Sequence, residues 1–175
     1  MKFFIDTVSQ DLVLAIFDKN FDLVDSNILE IKNKADLLPE LVRDILAKNN
    51  LKISDFSDFY INLGPGTFTG CRVGLTFFRT LAQLGNINLW TCSTFNLLSF
   101  EKKEKIQYFI SYSKNSQFSA FAHDGQLISE ISDIKTKNRP DDQVDYQLIF
   151  NNFSEAQKLF KKEENIVNVF PLYNN

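Results

Sequence analysis

The 175-residue sequence holds two cysteines, Cys71 and Cys92, and one histidine, His123. So few of either exclude a disulfide-stapled secreted scaffold and point to a reducing compartment, the cytoplasm. A zinc centre built from Cys and His needs more ligands than the chain has, so no metal site is expected. With a single histidine and no G-x-S-x-G, a Ser-His-Asp hydrolase has no support. Apolar runs stay short of the ~18 residues that span a bilayer. Asp6 interrupts the amino-terminal run too early for a secretory leader, so no membrane partner is expected. An excess of positive charge is also missing: 19 Lys and Arg stand against 22 Asp and Glu, a net charge of -3. Any RNA contact must therefore come from a local patch or a second protein.

What is abundant is phenylalanine, 18 residues against one tryptophan. With the many Asn and Lys, this reads as the compositional bias of an A/T-rich genome. Hydrophobic residues make up 44% and charged residues 23%, as in an ordinary globular chain long enough to bury a core.

The apolar patterning predicts strands over 2–7, 12–17 and 23–31, joined by short turns as an antiparallel meander. Leu37, Leu38, Leu41, Val42, Ile45 and Leu46 then recur at helical spacing, predicting a helix over 34–49 that tolerates Pro39 near its start. A fourth strand over 59–63, a second helix over 71–84 stopped by Gly85, a fifth strand over 88–92 and a short helix capped by Ser93 follow. The order βββαβαβ predicts an α/β fold with a mixed sheet and matches the ribonuclease H-like lobe of actin-like (ASKHA) proteins. The charged stretch Glu101–Lys105 marks a boundary between a lobe over 1–104 and a reduced second lobe over 105–175. In the second lobe the expectation is short strands over 107–111, 118–121 and 127–134, a helix over 154–162 capped by Ser154, and a last strand over 166–170.

The densest signal is Gly64-Pro65-Gly66-Thr67-Phe68-Thr69-Gly70-Cys71-Arg72-Val73-Gly74. It is a strand-to-helix turn in which glycines allow close backbone approach and Thr67 or Thr69 can cap the helix. Two readings stay open here: a tightly packed turn, or an anion site at the helix start using Gly64, Gly66, Thr67, Thr69 and Gly70. It is not a P-loop, since Cys71 rather than lysine follows Gly70.

The string G-P-G-[ST]-F-T-G-x-R-[IV]-G, placed some sixty residues after Ile5-Asp6-Thr7, resembles the TsaB (YeaZ) family. Leu37-Leu38-Pro39 and Pro171-Leu172-Tyr173 fit the same pattern. The resemblance is strong over 1–100 and faint over 105–165, as in a shortened member. At the place of the family's Asp-Ala-Arg the chain has Ser111-Tyr112-Ser113, and Asn33 or a neighbour takes the place of the histidine near which the family's first helix usually begins. The resemblance implies a non-catalytic scaffold in tRNA threonylcarbamoyladenosine synthesis. Its implied partners are a TsaD-like catalytic subunit and a TsaE-like ATPase, with a homodimer when alone and tRNA reached only indirectly. It implies no cofactor of the chain's own, with any ATP or ADP and Mg at the complex interface.

Actin-like enzymes clamp nucleotide between two turns, one from each lobe. Asp6, Thr7 and Ser9 are the candidates for the first turn; their other reading is a capped strand end. The second turn, near Ser111–Ser116, has neither glycine nor carboxylate. The H-x-x-x-H metal pair of the transferase subunit cannot be formed with one histidine. The candidate partner surface is Leu37, Leu38 and Leu41 of the first helix with Arg72, Val73, Phe77, Phe78 and Leu81 of the second. The other reading of these helices is core packing beneath the second lobe. A degenerate actin-like ATPase or kinase with a phosphate site at Asp6–Ser9 is the alternative function, and a homodimer with a separate role is the third.

Overall fold

The computed structural model describes residues 1–137 and 139–172. Its first sheet is built from β1 (Lys2–Asp6), β2 (Asp11–Phe17), β3 (Leu23–Glu30), β4 (Asp58–Asn62), β5 (Asn88–Cys92) and β10 (Lys161–Lys162), in the order β10-β5-β4-β1-β2-β3. The meander β1-β2-β3 is antiparallel, whereas β4 and β5 run parallel to β1, each entered through a helix crossover. The predicted mixed sheet and βββαβαβ order are both present.

Alternation along β1 assigns the two faces. Phe3 and Ile5 turn toward α1 (Lys34–Lys48) and α2 (Phe68–Gly85), joining Leu38, Val42, Ile45, Leu75 and Phe78 in one core. Phe4 turns the other way, into a second core with Phe17, Tyr60, Tyr146, Phe150 and Phe153. Phenylalanine thus fills both faces, with Phe17 stacked on Phe153 at 3.9 Å between ring centroids. α1 and α2 lie on the face opposite residues 146–156, while Ile166 and Val169, also assigned to the second lobe, pack against the α1–α2 core.

A second sheet is formed by β6 (Ile106–Ser113), β7 (Ser116–His123), β8 (Gln126–Leu127) and β9 (Ser132–Ile134), with the short strands β8 and β9 both pairing on β7. α3 (Thr94–Leu98), capped by the Ser93 hydroxyl as predicted, presents Phe95 and Leu98 to this sheet. Residues after 145 return to the first sheet: α4 (Tyr146–Asn151) and α5 (Phe153–Ala156) pack on its outer face, and β10 pairs with β5. The division after residue 104 therefore falls between the two sheets, but 105–175 is not one spatial unit.

Three further expectations are corrected. The helix set over 154–162 is present only in part, as α5 continued by a 3-10 turn over Gln157–Leu159 before β10, and α4 precedes it with Asp145 accepting from Leu148 N as the cap. Residues 166–168 form a 3-10 turn rather than a strand. α2 starts earlier than expected, at Phe68, and runs through Gly85, the left-handed cap being Asn86 at φ 53° rather than the glycine. Tyr173 lies outside the described residues. Among those described, no helix is long and apolar enough to cross a membrane.

Trp90, the one tryptophan, reports on the sheet edge. Its Nε1 donates to Asp58 Oδ1 at 2.8 Å, beside bonds to that carboxylate from Ser57 and Asn88. Burial raises the Asp58 pKa, but these hydrogen bonds and Lys2 outweigh it and hold the group below 3.8. A depressed carboxylate stabilises the fold above its unfolded value and loses that contribution as pH falls through the folded one. Trp90 emission should therefore stay constant from neutral pH down to the ordinary aspartate range and shift only below 3.8. In Asp58→Asn the same titration should show no such transition.

Candidate functional site

β1 ends in Asp6, which is 0% exposed. Its Oδ1 accepts from Val8 N at 2.8 Å; its Oδ2 accepts from Asn62 Nδ2 and from the Tyr146 hydroxyl, each at 2.8 Å. Because Tyr146 donates to Asp6, it accepts from the Ser9 hydroxyl 3.1 Å away. Asn62 is fixed in turn, its Oδ1 accepting from Gly64 N at 2.9 Å. Burial raises the Asp6 pKa, although Asn62, Val8, Tyr146 and the nearby charge of Lys34 all pull it down. Both carboxylate oxygens are thus used within the chain, and no face of the group meets water.

The remaining sequence candidates hold the β1–β2 turn to α2. The Thr7 hydroxyl donates to Gly70 O at 2.7 Å and accepts from Gly74 N at 3.1 Å. Thr67 caps α2 by accepting from Gly70 N at 3.2 Å. A Cβ on Gly66 would run into Val8, and one on Gly70 into Thr7 O and Thr67 Oγ1, so the glycines let two backbones touch. The motif glycines thus pack as a tight turn, and a cavity of about 230 Å³ lined by Ser9, Lys34, Thr67, Thr69 and Gly70 among others lies beside it. Gly64, at φ 106°, lies against Cys71, whose thiol burial pushes up to about 12; it is inert as a nucleophile. Gly74→Ala would set its methyl 2.6 Å from Thr7 Oγ1. We expect it to cost about 2 kcal/mol, read as a fall of roughly 1 M in the urea midpoint.

A residue not flagged by its sequence completes this turn. The Lys34 ammonium, from the first position of α1, donates to Thr7 O at 3.0 Å, to Asp11 O at 2.8 Å and to Ser9 O. A magnesium–nucleotide does not fit residues so engaged, since it would need the Asp6 carboxylate and the turn's open face.

Opposite the turn lies a polar cleft of about 240 Å³ between the two sheets, lined by Ser9, Thr67, Ser111, Lys114, Lys137 and Asp141 among others. The stretch near Ser111–Ser116 is the β6–β7 hairpin, and a carboxylate does reach it from elsewhere. Asp141 accepts from Ser111 Oγ at 2.7 Å and Gln117 Nε2 at 2.8 Å, with Lys137 3.3 Å away. These contacts tie its side chain into the second sheet.

On the other face, α1 and α2 diverge around a groove of about 570 Å³. Its α2 wall is two adjacent i, i+4 rows, Phe68-Arg72-Thr76-Thr80 and Thr69-Val73-Phe77-Leu81; α1 adds Ala35, Leu38 and Pro39. Arg72 lays its guanidinium 3.6 Å above the Phe68 ring at the mouth and is the one charged residue in the lining. Of the predicted surface, Arg72, Val73, Phe77, Leu81 and Leu38 line this groove. Leu37 is 37% exposed and Leu41 half-buried, both outside the lining. Phe78 is corrected: it is 0% exposed, edge-on to Phe3 and Phe59 in the core.

Residues 29–134 match the family model TsaD, tRNA N6-adenosine threonylcarbamoyltransferase. The chain belongs to the TsaD family. The matched segment of this TsaD-family chain runs from the end of β3 through both groove helices to β9. Its fold is that of YeaZ from Pseudomonas aeruginosa: the superposition covers 98% of this chain and 99% of that one, with a TM-score of 0.73 at 15% identity. A second crystal structure, of a protein with similarity to peptidase YEAZ from Pseudomonas aeruginosa, gives 0.72 at 16% identity, with 98% of each chain covered. The fold is thus the actin-like α/β fold expected from the order of elements. In sequence, the MG208 homolog of Mycoplasma pneumoniae is 29% identical over 142 residues, 80% of this chain and 69% of that protein. MG208 of Mycoplasma genitalium is 31% identical over 85 residues, 47% of this chain and 43% of that protein.

Proposed function

We propose that this chain is a non-catalytic, TsaB-like subunit of the machinery that makes tRNA threonylcarbamoyladenosine, docking onto a TsaD-like catalytic subunit through the α1–α2 groove. The observation that carries the reading is the groove itself: an open surface of about 570 Å³, apolar apart from Arg72 and three threonines. A concave apolar surface of that kind on a helix pair suits a partner helix better than water. The Asp6 turn supports the non-catalytic half of the reading, because its carboxylate and carbonyls are spent on Tyr146, Asn62 and Lys34. The same saturation counts against the ATPase alternative.

In this account the chain holds no nucleotide or metal of its own, and any ATP or ADP with Mg lies where it meets its partners, a TsaE-like ATPase included. Alone, it covers the same groove with a second copy. Its net charge of -3 leaves tRNA contact to the complex, and the complex works in the cytoplasm. The test is reconstitution of threonylcarbamoyl transfer to tRNA by the TsaD-like and TsaE-like proteins, with and without this chain. Transfer that depends on the chain, while the chain alone turns over no ATP, supports the reading. Full transfer in its absence, or ATP turnover by the chain alone, contradicts it.

A further inference from the structure

The β1–β2 turn presents three main-chain carbonyls, those of Thr7, Ser9 and Asp11, to a single point beside the buried Asp6. Carbonyl oxygens gathered in this way are the usual ligands of a bare cation. The point is filled by Lys34 Nζ, at 3.0 Å from Thr7 O, 2.8 Å from Asp11 O and in contact with Ser9 O. An ammonium has three N–H donors and no acceptor, so three carbonyls match its hydrogens one for one. We propose that Lys34 is a tethered cation: its ammonium occupies a monovalent-cation site built into the β1–β2 turn and fastens the start of α1 to that turn.

Burial lowers the Lys34 pKa from its ordinary 10.5, and the nearby carboxylates of Asp6 and Asp11 offset only part of that effect; the three carbonyl contacts carry the assignment. In this role the chain supplies the turn's cation from its own helix. It also gives the groove a fixed wall. Ala35, Leu38 and Pro39 line the groove within the five residues that follow Lys34, so the ammonium sets where that wall stands. A lysine whose stem merely packed along the turn would not need to meet all three carbonyls. The inference does not depend on what the groove binds, and its test needs no partner.

Lys34→Ala removes the atoms of one propylammonium ion, which makes the site open to chemical rescue. The full chain carrying Lys34→Ala should melt roughly 5 °C below the parent. Propylammonium chloride should recover much of that loss. Tetramethylammonium chloride at the same concentration has the charge but no N–H and should not. The parent should respond alike to both salts. Lys34→Met keeps the apolar stem without donors and should melt as low as Lys34→Ala without rescue. The proposal is overturned if Lys34→Met melts within about 1 °C of the parent, or if the two salts act equally on Lys34→Ala. Should Lys34→Ala fail to fold, the Lys34→Met melt decides alone, a parent-like curve overturning the proposal and a lowered one supporting it.

Discussion

Phe78→Asp should unfold the chain, whereas Thr76→Glu, two residues earlier on the same helix, should leave it folded and abolish docking. Phe78 lies with its ring 5.2 Å from Phe3 and 5.1 Å from Phe59. A carboxylate there loses the whole side-chain burial and is left uncompensated in an apolar core, a loss of more than about 4 kcal/mol. That is comparable with the total stability of a domain, about 5–15 kcal/mol, so circular dichroism should show an unfolded or aggregating protein. Thr76 is exposed on the groove's α2 wall. Glutamate there is a better helix former and should change stability by less than about 0.5 kcal/mol. Once a partner covers the groove, however, the new charge is desolvated, and Arg72, one turn before it in the same row, offsets only part of that cost. Binding should then weaken by at least ~100-fold, equivalent to about 2.7 kcal/mol. If Thr76→Glu binds a TsaD-like subunit as the parent does, the groove is not the docking surface.

Asp6→Asn should destabilise the chain by about 3 kcal/mol, and on the non-catalytic reading proposed above it has no ATP turnover to lose. The substitution keeps the shape but turns one acceptor into a donor. Asp6 Oδ2 receives both Asn62 Nδ2 and the Tyr146 hydroxyl, and Oδ1 receives Val8 N. An asparagine that keeps its oxygen on Val8 N points its amide at the Asn62 amide. Asn62 cannot turn round, since its own oxygen holds Gly64 N. One buried donor is then faced by another, and each such group left unsatisfied costs about 1–3 kcal/mol. Thermal or urea unfolding would show the loss. Were Asp6 a metal-phosphate ligand, the variant would instead stay stable and lose an ATPase activity that the parent displays.

The contrast between Phe77 and Phe78 shows where sequence reading stopped. The run Val73–Leu81 is apolar at almost every turn, so helical periodicity alone left the partner-facing row ambiguous by one residue, or about 100° of rotation. The rows 68-72-76-80 and 69-73-77-81 contain threonines and an arginine where 71-75-78-82 has none. That difference in polarity was the available signal for placing Phe78 inside. The first lobe was legible because its strands alternate or run fully apolar and its helices are long. α4 was missed because six residues, Tyr146–Asn151, are too few for a period to register. Its Tyr146 reaches an aspartate 140 positions away, which no local pattern encodes. The same holds for Lys34, one lysine among many until the β1–β2 turn folds over it, and for Asp141, which brings to the β6–β7 hairpin a carboxylate absent from its own sequence. The motif glycines were visible as a signal, but only the folded chain shows Thr7 and Val8 packed against them.

Light scattering coupled to size-exclusion chromatography, on this chain mixed with the TsaD-like protein of the same organism, tests the central claim most directly. The account predicts a new species at the summed mass of one copy of each, formed by the parent and absent with Thr76→Glu. Two separate peaks at the masses of the unmixed proteins, at concentrations well above micromolar, would contradict it.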